Sequence, residues 1–529
     1  MVNQNGSRAE RPGLEARARQ AADRWGSVHR FALLGLLAVA FFSHAFNLFN
    51  YPLYLGDEGI YLEQAWAVLR QGRLSPYTYW YDHAPAGWLM IAAWIFVLPK
   101  QFATFGMAVN SGRVLMLLTH VVSVYLLYES SNRLAGNRWA GLIAGLVFSL
   151  SPLALFYQRM LLLDNLMAFW VLMSLYLIVA NRDRLITLMA SGLAFGMALL
   201  SKENAMFFAP VFAYLLYTTV RPKPYFRFGI AGWAFCALSV VSAYPMYAWL
   251  KDELLPSGGF LGGAPAERVS LLSTLLWQMT RSQGSIMDPN SLFWAFSIGR
   301  WWPKDAALLV AGGLSTAVNL AIGLSNRSRR RGYLVASLLS LAYIVYLARG
   351  SVMLDFYVLP LLPFLAMNVG VLLGNALHAL PWRALGFTLL VVILGSVSHL
   401  YIQDSQDHYT LNLVQVQAQQ LQYIRQNIPA SAVMIVDDDL WVDLHEPMGR
   451  TPVYPKAHSH WKVAGDPEIR DKLLGNDWRR VDYVIVSNKM LEVVQRENET
   501  LVLDAFKNSR PIARFEKGDV LVEVRKVIK

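Results

Sequence analysis

The sequence has little charge and almost no cysteine. Only 16% of its 529 residues are Asp, Glu, Lys or Arg, whereas 55% are hydrophobic; an ordinary soluble domain is about 25% charged. So little charge cannot cover the surface of a soluble protein of this size, and so much apolar sequence excludes intrinsic disorder. The single cysteine, Cys236, excludes an internal disulfide and any cysteine-held metal cluster. The class that remains is a protein that crosses the membrane many times.

Long apolar runs take the place of the missing charge. We predict that residues 1–30 form a basic cytoplasmic segment and that an uncleaved first span follows it. A membrane-crossing helix needs about twenty apolar residues. Eleven runs of about this length are predicted to cross, namely 31–49, 106–128, 139–156, 163–180, 185–200, 204–220, 228–250, 305–325, 333–349, 353–373 and 384–400.

The placement of positive charge predicts the orientation in the membrane. A net charge of +11 would suggest nucleic acid in a soluble protein, but here Arg and Lys stand between apolar runs, so no nucleic-acid partner is expected. If the short run 84–99 lies along the outer membrane surface, the clusters share one side, the cytoplasmic side by the positive-inside rule. We therefore expect a multi-pass protein of the plasma (inner) membrane with its N-terminus in the cytoplasm. The clusters are Arg133/Arg138, Arg182/Arg184, Arg221/Lys223/Arg227, Arg327/Arg329/Arg330/Arg331 and Arg383.

The composition changes at about residue 403, after which polar residues become frequent. The segments SAVMIVDDDL, VDYVIVSN and LVEVRKV are predicted to be short strands. Residues 403–529 are therefore predicted to form a small extracytoplasmic α/β domain. The membrane part then spans 31–402, with long outside loops at 51–105 and 251–304.

In this topology the charged residues at the ends of spans all fall on the outer face. Ionisable groups there cost free energy unless they pair or line a wet cavity, so we predict a cavity open to the outer leaflet. Carboxylates can deprotonate a hydroxyl group, and cations suit a phosphate. The pattern favours group transfer from a phosphate-bearing, lipid-linked donor to a hydroxyl acceptor. The groups are Asp57/Glu58, Asp82/His83, Arg159 with Asp164, Lys202/Glu203, and Arg349 with Asp355 and Tyr357.

An ordered set of segments resembles the GT-C membrane glycosyltransferases, especially the protein O-mannosyltransferases and the bacterial aminoarabinose transferases. The resemblance covers most of residues 31–400, and the tail looks like the soluble tail of many bacterial relatives. It implies an α-helical GT-C fold, a polyprenyl-phosphate sugar donor, an extracytoplasmic site and inversion at the anomeric carbon. The acceptor is a lipid, a glycan or a protein, and neither it nor the sugar is specified. The segments are LGDEGIYLEQAWAVLRQG, YDHAPAGWLMIAAW, QRMLLLDNLMAFWVLMSLYL, LLSKENAMFFAP and DFYVLPLLPFLA.

The resemblance also implies roles for single residues. Asp57 matches the catalytic base, with Glu58 as its assistant or alternative, and Asp164 matches an aspartate that orients the acceptor or helps to hold the site. The aminoarabinose transferases carry a Lys-Pro motif where this chain has His83-Ala84-Pro85, which argues against an aminoarabinose donor. Candidates for binding the donor phosphate are Lys202, Arg349, Arg159 and Tyr357, and candidates for the substrate are Tyr81, Asp82, His83 and Glu203.

Several interpretations stay open at this level. No cofactor is required by the sequence, but a divalent metal could be held by Asp57, Glu58, Asp164 and His83. Structural alternatives compete for the same residues: Arg159 as a headgroup anchor, His83 paired with Asp82, Lys202 and Glu203 snorkelling at a helix end, and Asp355 paired with Arg349. Asp437, Asp438 and Asp439 form either a solvated loop or a metal site, and the spacing of His458 and His460 also permits a metal.

Two other classes of function compete with group transfer. A transporter or flippase for a charged or lipid-linked solute would place charges at mid-membrane and on both faces. A non-catalytic scaffold would leave Asp57 and Lys202 replaceable without loss. The clustering of acidic groups on one face favours the enzyme.

Overall fold

The computed structural model describes residues 29–180, 184–256, 269–281, 284–325, 330–447, 449 and 451–529. Of the predicted basic segment 1–30, only the last two residues are described. Part of the loop 251–304, as well as Arg182, Arg327 and Arg329, also lies outside the described residues.

Helices dominate the described residues before residue 428. An apolar stretch in lipid satisfies its backbone polar groups by hydrogen bonding within a helix. The helices are α1 His29–Ala45, α2 Gly56–Gln71, α3 Ala86–Phe96, α4 Ala108–Ala135, α5 Arg138–Leu150, α6 Pro152–Gln158, α7 Leu163–Val179, α8 Leu185–Ser201, α9 Ala209–Val220, α10 Phe226–Val241, α11 Ala243–Leu250, α12 Leu271–Thr280, α13 Leu292–Phe296, α14 Trp302–Ser325, α15 Arg330–Ala348, α16 Leu362–His378, α17 Arg383–Asp404, α18 Gln406–Thr410 and α19 Val414–Asn427.

Each of the eleven predicted runs coincides with a helix or with two consecutive helical segments. Within the described residues, six helical segments are long and apolar enough to cross a membrane, and the bent pair α5–α6 makes a seventh if it counts as one span. Helices α1, α7 and α8 are apolar but shorter. The chain is thus an integral membrane protein by length and composition, while the count of eleven spans stays a prediction.

The ambiguous run 84–99 forms the eleven-residue helix α3. At 1.5 Å per residue it is about 16 Å long, roughly half the thickness of a bilayer's hydrocarbon core. Trp88 and Ile91 are fully buried, whereas Phe96 is 66% exposed. This helix is shorter than a membrane span, and its position along the outer surface stays a prediction.

Close packing positions the start of α5, and a proline follows its end. A Cβ placed on Gly370 of α16 would lie 2.4 Å from the carbonyl oxygen of Ala140 in α5, so only glycine allows this approach. The chain then bends by 66° between α5 and α6. Pro152 cannot continue the hydrogen bonding of α5, and the Ser151 hydroxyl accepts the N–H of Ala154 at 3.2 Å to cap α6. The bend leads the chain into the buried segment that carries Asp164.

The C-terminal region contains the predicted strands, and they belong to a five-stranded mixed sheet. Three of its strands are those anticipated from sequence (β3, β5 and β7), and two others join them. The sheet order is β4-β3-β5-β7-β6, with β3 parallel to both neighbours and the other pairs antiparallel. A separate two-stranded sheet pairs β1 with β2. The strands are β1 Gly284–Ser285, β2 Arg349–Gly350, β3 Met434–Val436, β4 Ala457–Ser459, β5 Tyr483–Ser487, β6 Ser509–Lys517 and β7 Val520–Val527; the remaining helices are α20 Asp438–His445, α21 His460–Gly465, α22 Asn488–Arg496 and α23 Thr500–Lys507.

Helix α20 packs directly on α2, which belongs to the first loop. A Cβ on Gly59 would lie 2.2 Å from the carbonyl of Asp438, so a side chain at position 59 would push the two helices apart. The Asp443 carboxylate of α20 accepts the backbone N–H of Ala108 at 3.1 Å, at the start of α4. Trp66 of α2 donates to Glu446 at 2.8 Å. The sheet region therefore supports the loop that carries the predicted base.

Candidate active site

The predicted base lies in the first turn of α2. Asp57 and Glu58 directly follow Gly56, where the helix begins. Backbone N–H groups point outward at this end of a helix, and the helix dipole favours negative charge there. Glu58 accepts the N–H of Leu55 at 3.1 Å, which closes the turn and fixes the direction of Asp57.

Glu58 is held by hydrogen bonds to both of its carboxylate oxygens, which gives it a structural role. Its carboxylate is fully buried and receives two hydrogen bonds from Arg113, at 2.9 and 2.7 Å. The N–H of Leu161 donates to it at 2.8 Å, and Leu55 provides a fourth bond. With both oxygens accepting twice, Glu58 is not the alternative base that the sequence suggested.

Asp57 itself is half-buried and surrounded by ionisable groups. Burial raises its pKa to about 6, against an ordinary value of 3.8. The charges of Lys202 and His83 lower this pKa, and those of Asp355 and Asp164 raise it. The result is a carboxylate that is ionised at neutral pH and more basic than a surface aspartate.

Lys202, which follows α8, is the cation that lowers the pKa of Asp57 most strongly. Its ammonium group donates to Asp164 Oδ2 at 2.6 Å, and both side chains are almost fully buried. It also lies 4.3 Å from the ring centre of Tyr357. Lys202 therefore does not snorkel at a helix end. Asp164 Oδ1 is buried and has no hydrogen-bond partner within the part of the chain that the structure describes.

His83 and Glu203 form a second pair, whose histidine adds positive charge near Asp57. His83 Nδ1 lies 3.4 Å from Glu203 Oε2, and Glu203 also accepts the N–H of Ala84 at 2.6 Å. Burial lowers the pKa of His83, but its hydrogen bond to Glu203 and the charges of Glu203 and Asp82 outweigh this, so the pKa is raised. His83 is thus bonded to Glu203 rather than to Asp82, which contributes only charge.

Tyr81 comes two residues before His83 and is held by other groups. Its hydroxyl donates to Glu253 at 2.5 Å, its carbonyl accepts the hydroxyl of Tyr244 at 2.9 Å, and only 2% of the residue is exposed. Its φ of 58° is left-handed, an uncommon conformation for a residue with a Cβ. Tyr81 therefore shapes the loop that leads to His83, and its substrate-binding role stays a prediction.

The remaining phosphate candidates separate into two positions. Arg349 donates to the carbonyls of Tyr346 and Val352 at 2.8 and 3.3 Å. Its guanidinium lies 3.7 Å from the ring centre of Tyr346, which in turn lies 6.0 Å from that of Tyr357. Arg349 does not pair with Asp355, which faces Arg300 instead. Arg349 thus remains next to the Lys202 pair.

Arg159 lies apart from this group. Its guanidinium is 1% exposed and donates to the carbonyls of Ser43 and His408 at 2.6 and 2.9 Å. These bonds tie α1 to α18. Arg159 therefore neither anchors a headgroup nor reaches the phosphate position predicted for it.

Of the four residues proposed from sequence as metal ligands, Glu58 and Asp164 are each paired with a buried cation, and a metal held by the set stays a prediction. Glu58 is fully engaged by Arg113, and the ammonium of Lys202 already neutralises Asp164 at 2.6 Å. Among the described residues, the group of three whose ligand atoms all lie within 4.8 Å of one another is Asp437, Asp438 and His460. Asp438 and Asp439 are 2% and 4% exposed, so the solvated-loop interpretation of this acidic run is wrong.

Two contributions to the site were missed from the sequence. Arg113 lies inside the apolar run 106–128, and a charge in a predicted span is a signal that could have revealed it. Lys489 joins the electrostatic surroundings of Asp355 and Asp437 from the C-terminal region. Nothing local in the sequence marks Lys489, because only the docking of the sheet region brings it there.

The chain is similar to one protein family and to several solved membrane-protein structures. Residues 82–249 match the family described as dolichyl-phosphate-mannose-protein mannosyltransferase. ArnT from Cupriavidus metallidurans, solved with undecaprenyl phosphate, is 16% identical over 95% of this chain and 98% of ArnT, with a TM-score of 0.59. The oligosaccharyltransferase AglB from Archaeoglobus fulgidus, solved with an inhibitory peptide and a dolichol-phosphate, is 11% identical over 94% of this chain and 74% of AglB, with a TM-score of 0.54. No curated protein sequence matches the chain.

The fold is that of the GT-C membrane glycosyltransferases. The resemblance drawn from the sequence motifs is therefore confirmed, together with the mostly helical membrane architecture and the small C-terminal sheet region.

Proposed function

We propose that the protein is an inverting membrane glycosyltransferase that moves a sugar from a polyprenyl-phosphate donor to a hydroxyl acceptor at the extracytoplasmic face of the plasma membrane. The observation that carries the proposal is the position of Asp57. Its carboxylate, with a pKa raised to about 6, shares one charged cluster with the buried Lys202–Asp164 pair and with His83. A base next to a buried cation suits a reaction that needs proton removal and a charged leaving group.

The reaction proceeds by direct displacement. The Asp57 carboxylate takes the proton of the acceptor hydroxyl, whose oxygen forms a bond to the anomeric carbon. The bond from that carbon to the phosphate oxygen breaks on the opposite side, and polyprenyl phosphate leaves with the electron pair. Inversion follows from the attack on the face opposite the leaving group. A sugar phosphate is a good leaving group, so no acid needs to protonate it.

Lys202 and Arg349 hold the phosphate charge in this mechanism. Lys202 has three N–H donors and gives one to Asp164 at 2.6 Å. Arg349 spends its described side-chain hydrogen bonds on two backbone carbonyls, not on a carboxylate, so its charge is not cancelled by an ion pair. Asp164 Oδ1, which is buried and has no hydrogen-bond partner among the described residues, could accept a hydrogen bond from a sugar or acceptor hydroxyl that enters the site.

The comparisons support a lipid-linked donor. ArnT was solved with undecaprenyl phosphate and AglB with a dolichol-phosphate, and both share this fold. A polyprenyl phosphate carries its charge at the membrane surface, where the first loop of this chain is predicted to lie. The acceptor is proposed only as a hydroxyl group on a lipid, a glycan or a protein.

The test is sugar transfer by purified protein in detergent. Polyprenyl phosphates carrying different sugars would be offered to the wild type, to Asp57→Asn and to a matched control, Asp504→Asn, at an exposed position. We expect transfer from one donor, a loss of about 10²- to 10⁴-fold in Asp57→Asn, and no change in the control.

Two outcomes would contradict the proposal. Normal turnover by Asp57→Asn would remove Asp57 as the base. If no donor in the panel released its sugar with any acceptor class, a transporter or flippase would become the better hypothesis.

A further inference from the structure

The carboxyl ends of three neighbouring parallel strands carry a second cluster of ionisable residues. Asp437 and Asp438 follow β3, His460 follows β4, and Ser487 ends β5. Strand β3 lies between β4 and β5, so the sheet order brings these positions to one edge. In open sheets with parallel strands, this edge is where ligands bind.

The geometry points to a divalent-cation site formed by Asp437, Asp438 and His460, and we propose it as a metal centre of this protein. The ligand atoms of the three residues lie within 4.8 Å of one another, close enough to share one ion. Two carboxylates and an imidazole match Mn²⁺ or Zn²⁺ better than Ca²⁺, because hard cations prefer oxygen ligands alone.

Each proposed ligand is oriented by a second residue. Glu499 Oε2 lies 2.9 Å from Nδ1 of His460, which leaves Nε2 as the ring nitrogen for the metal. Trp461 donates its indole N–H to Asp438 at 2.8 Å, and Ser487 donates its hydroxyl to Asp437 at 3.0 Å. Histidine ligands of metals characteristically bond a carboxylate through their second nitrogen, which fixes the ring and its tautomer.

The space and charge at this edge also suit a cation. A cavity of about 300 Å³ is lined by Asp437, Asp438, His460 and Glu499. Lys489 is the one Lys or Arg among its described lining residues, so the cavity carries a net negative charge before any ion binds. An ion coordinated there offsets carboxylates that lie in a largely buried region.

The same cavity reaches the first loop. Gly56 and Asp57 also line it, and a Cβ on Gly56 would lie 3.5 Å from Asp438 Oδ2. A cation held by Asp437 and Asp438 would therefore join the sheet region to the start of α2. This inference concerns binding and holds whether or not the chain transfers a sugar.

The experiment measures metal binding directly. Full-length protein in detergent would be stripped with EDTA and titrated with Mn²⁺ by electron paramagnetic resonance and with Zn²⁺ by calorimetry. We expect one equivalent of either ion to bind and to raise the Tm, with much weaker binding of Ca²⁺. Ca²⁺ binding as tight as that of Mn²⁺ would remove His460 from the ligand set.

Variants separate ligands from a structural ion pair. We expect His460→Gln and Asp437→Asn to abolish the tight site. Glu499→Gln should weaken it about 10- to 100-fold while keeping one equivalent. The exposed control Asp471→Asn should bind like the wild type. If His460→Gln does not fold, Asp437→Asn at the half-buried position decides. Wild type that binds neither ion, or Asp437→Asn that binds normally, would overturn the proposal.

Discussion

At the scale of single residues, two opposing effects act on the pKa of Asp57. Its place at the start of α2 favours the ionised form, while burial favours the protonated form and raises its pKa to about 6. A base near this value is ionised at neutral pH and accepts a proton more readily than an ordinary aspartate. The neighbouring cations then lower the pKa of Asp57, and the neighbouring carboxylates raise it.

Because neighbouring charges act on the pKa of Asp57 in both directions, removing them should shift the pH profile of transfer in opposite directions. We expect kcat/KM of the wild type to fall below about pH 6, as Asp57 becomes protonated. His83→Asn removes a charge that lowers the pKa of Asp57, so the acidic limb should move to higher pH. Asp355→Asn removes a charge that raises this pKa, so the limb should move to lower pH. A limb that stays in place in both variants would mean that another group titrates.

The same pKa predicts that Asp57→Asn stabilises the protein. A carboxyl whose pKa is about 6 when folded and 3.8 otherwise destabilises the folded state when ionised. At pH 8 the variant should gain on the order of 1–3 kcal/mol. The gain should shrink as pH falls from about 6 towards 4, because wild-type Asp57 then becomes protonated. Thermal unfolding in detergent at several pH values measures this, and a variant less stable than wild type at pH 8 would contradict it.

At the scale of elements, the start of α2 depends on one buried ion pair. Arg113 of α4 bonds both oxygens of Glu58, and the same guanidinium donates to the carbonyl of Pro52 at 2.9 Å. These bonds join the first loop to α4. Removing one partner of a buried pair leaves the other charged and without compensation.

We therefore expect Glu58→Gln to lower the free energy of unfolding by about 3–5 kcal/mol. The matched control is Glu129→Gln, which breaks the more exposed Arg133–Glu129 pair of the same helix, at 2.8 Å, and should cost less than about 1 kcal/mol. Chemical denaturation of both variants in the same detergent compares them. Equal losses would show that burial of the pair does not decide its contribution.

At the scale of the whole molecule, the membrane helices can be predicted from local sequence, whereas the contacts made by the C-terminal sheet cannot. Apolar runs fixed the positions of the membrane helices, because helix formation in lipid depends on local composition. Strands β3, β5 and β7 were also predicted, whereas β4 was not, since its three residues carry no alternating pattern. The meeting of Asp437 with His460 could not be predicted, because it depends on the order of strands in the sheet. Arg113 stands out in the sequence as a charge inside an apolar run. Its pairing with Glu58 was not predicted, because Glu58 was interpreted as an assistant or alternative base.

Orientation is a prediction at this scale as well. In a Cys236→Ser background, Arg514→Cys in β6 and Arg221→Cys after α9 introduce single exposed thiols. In right-side-out vesicles, a membrane-impermeant maleimide should label position 514 directly and position 221 only after permeabilisation. Labelling of both from the same side would change the parity of the spans between them.

The contact of Gly59 with Asp438 limits how this protein can be recombined with others. The tail from residue 403 has the look of a separable module, but α20 fits α2 only because position 59 lacks a side chain. Asp443 also supplies the cap for the first turn of α4. A hybrid that keeps this membrane part and receives a foreign tail would have to reproduce both the helix surface and the acidic cap. Exchanging the first loop and the tail together is therefore the route to chimeric enzymes with this scaffold.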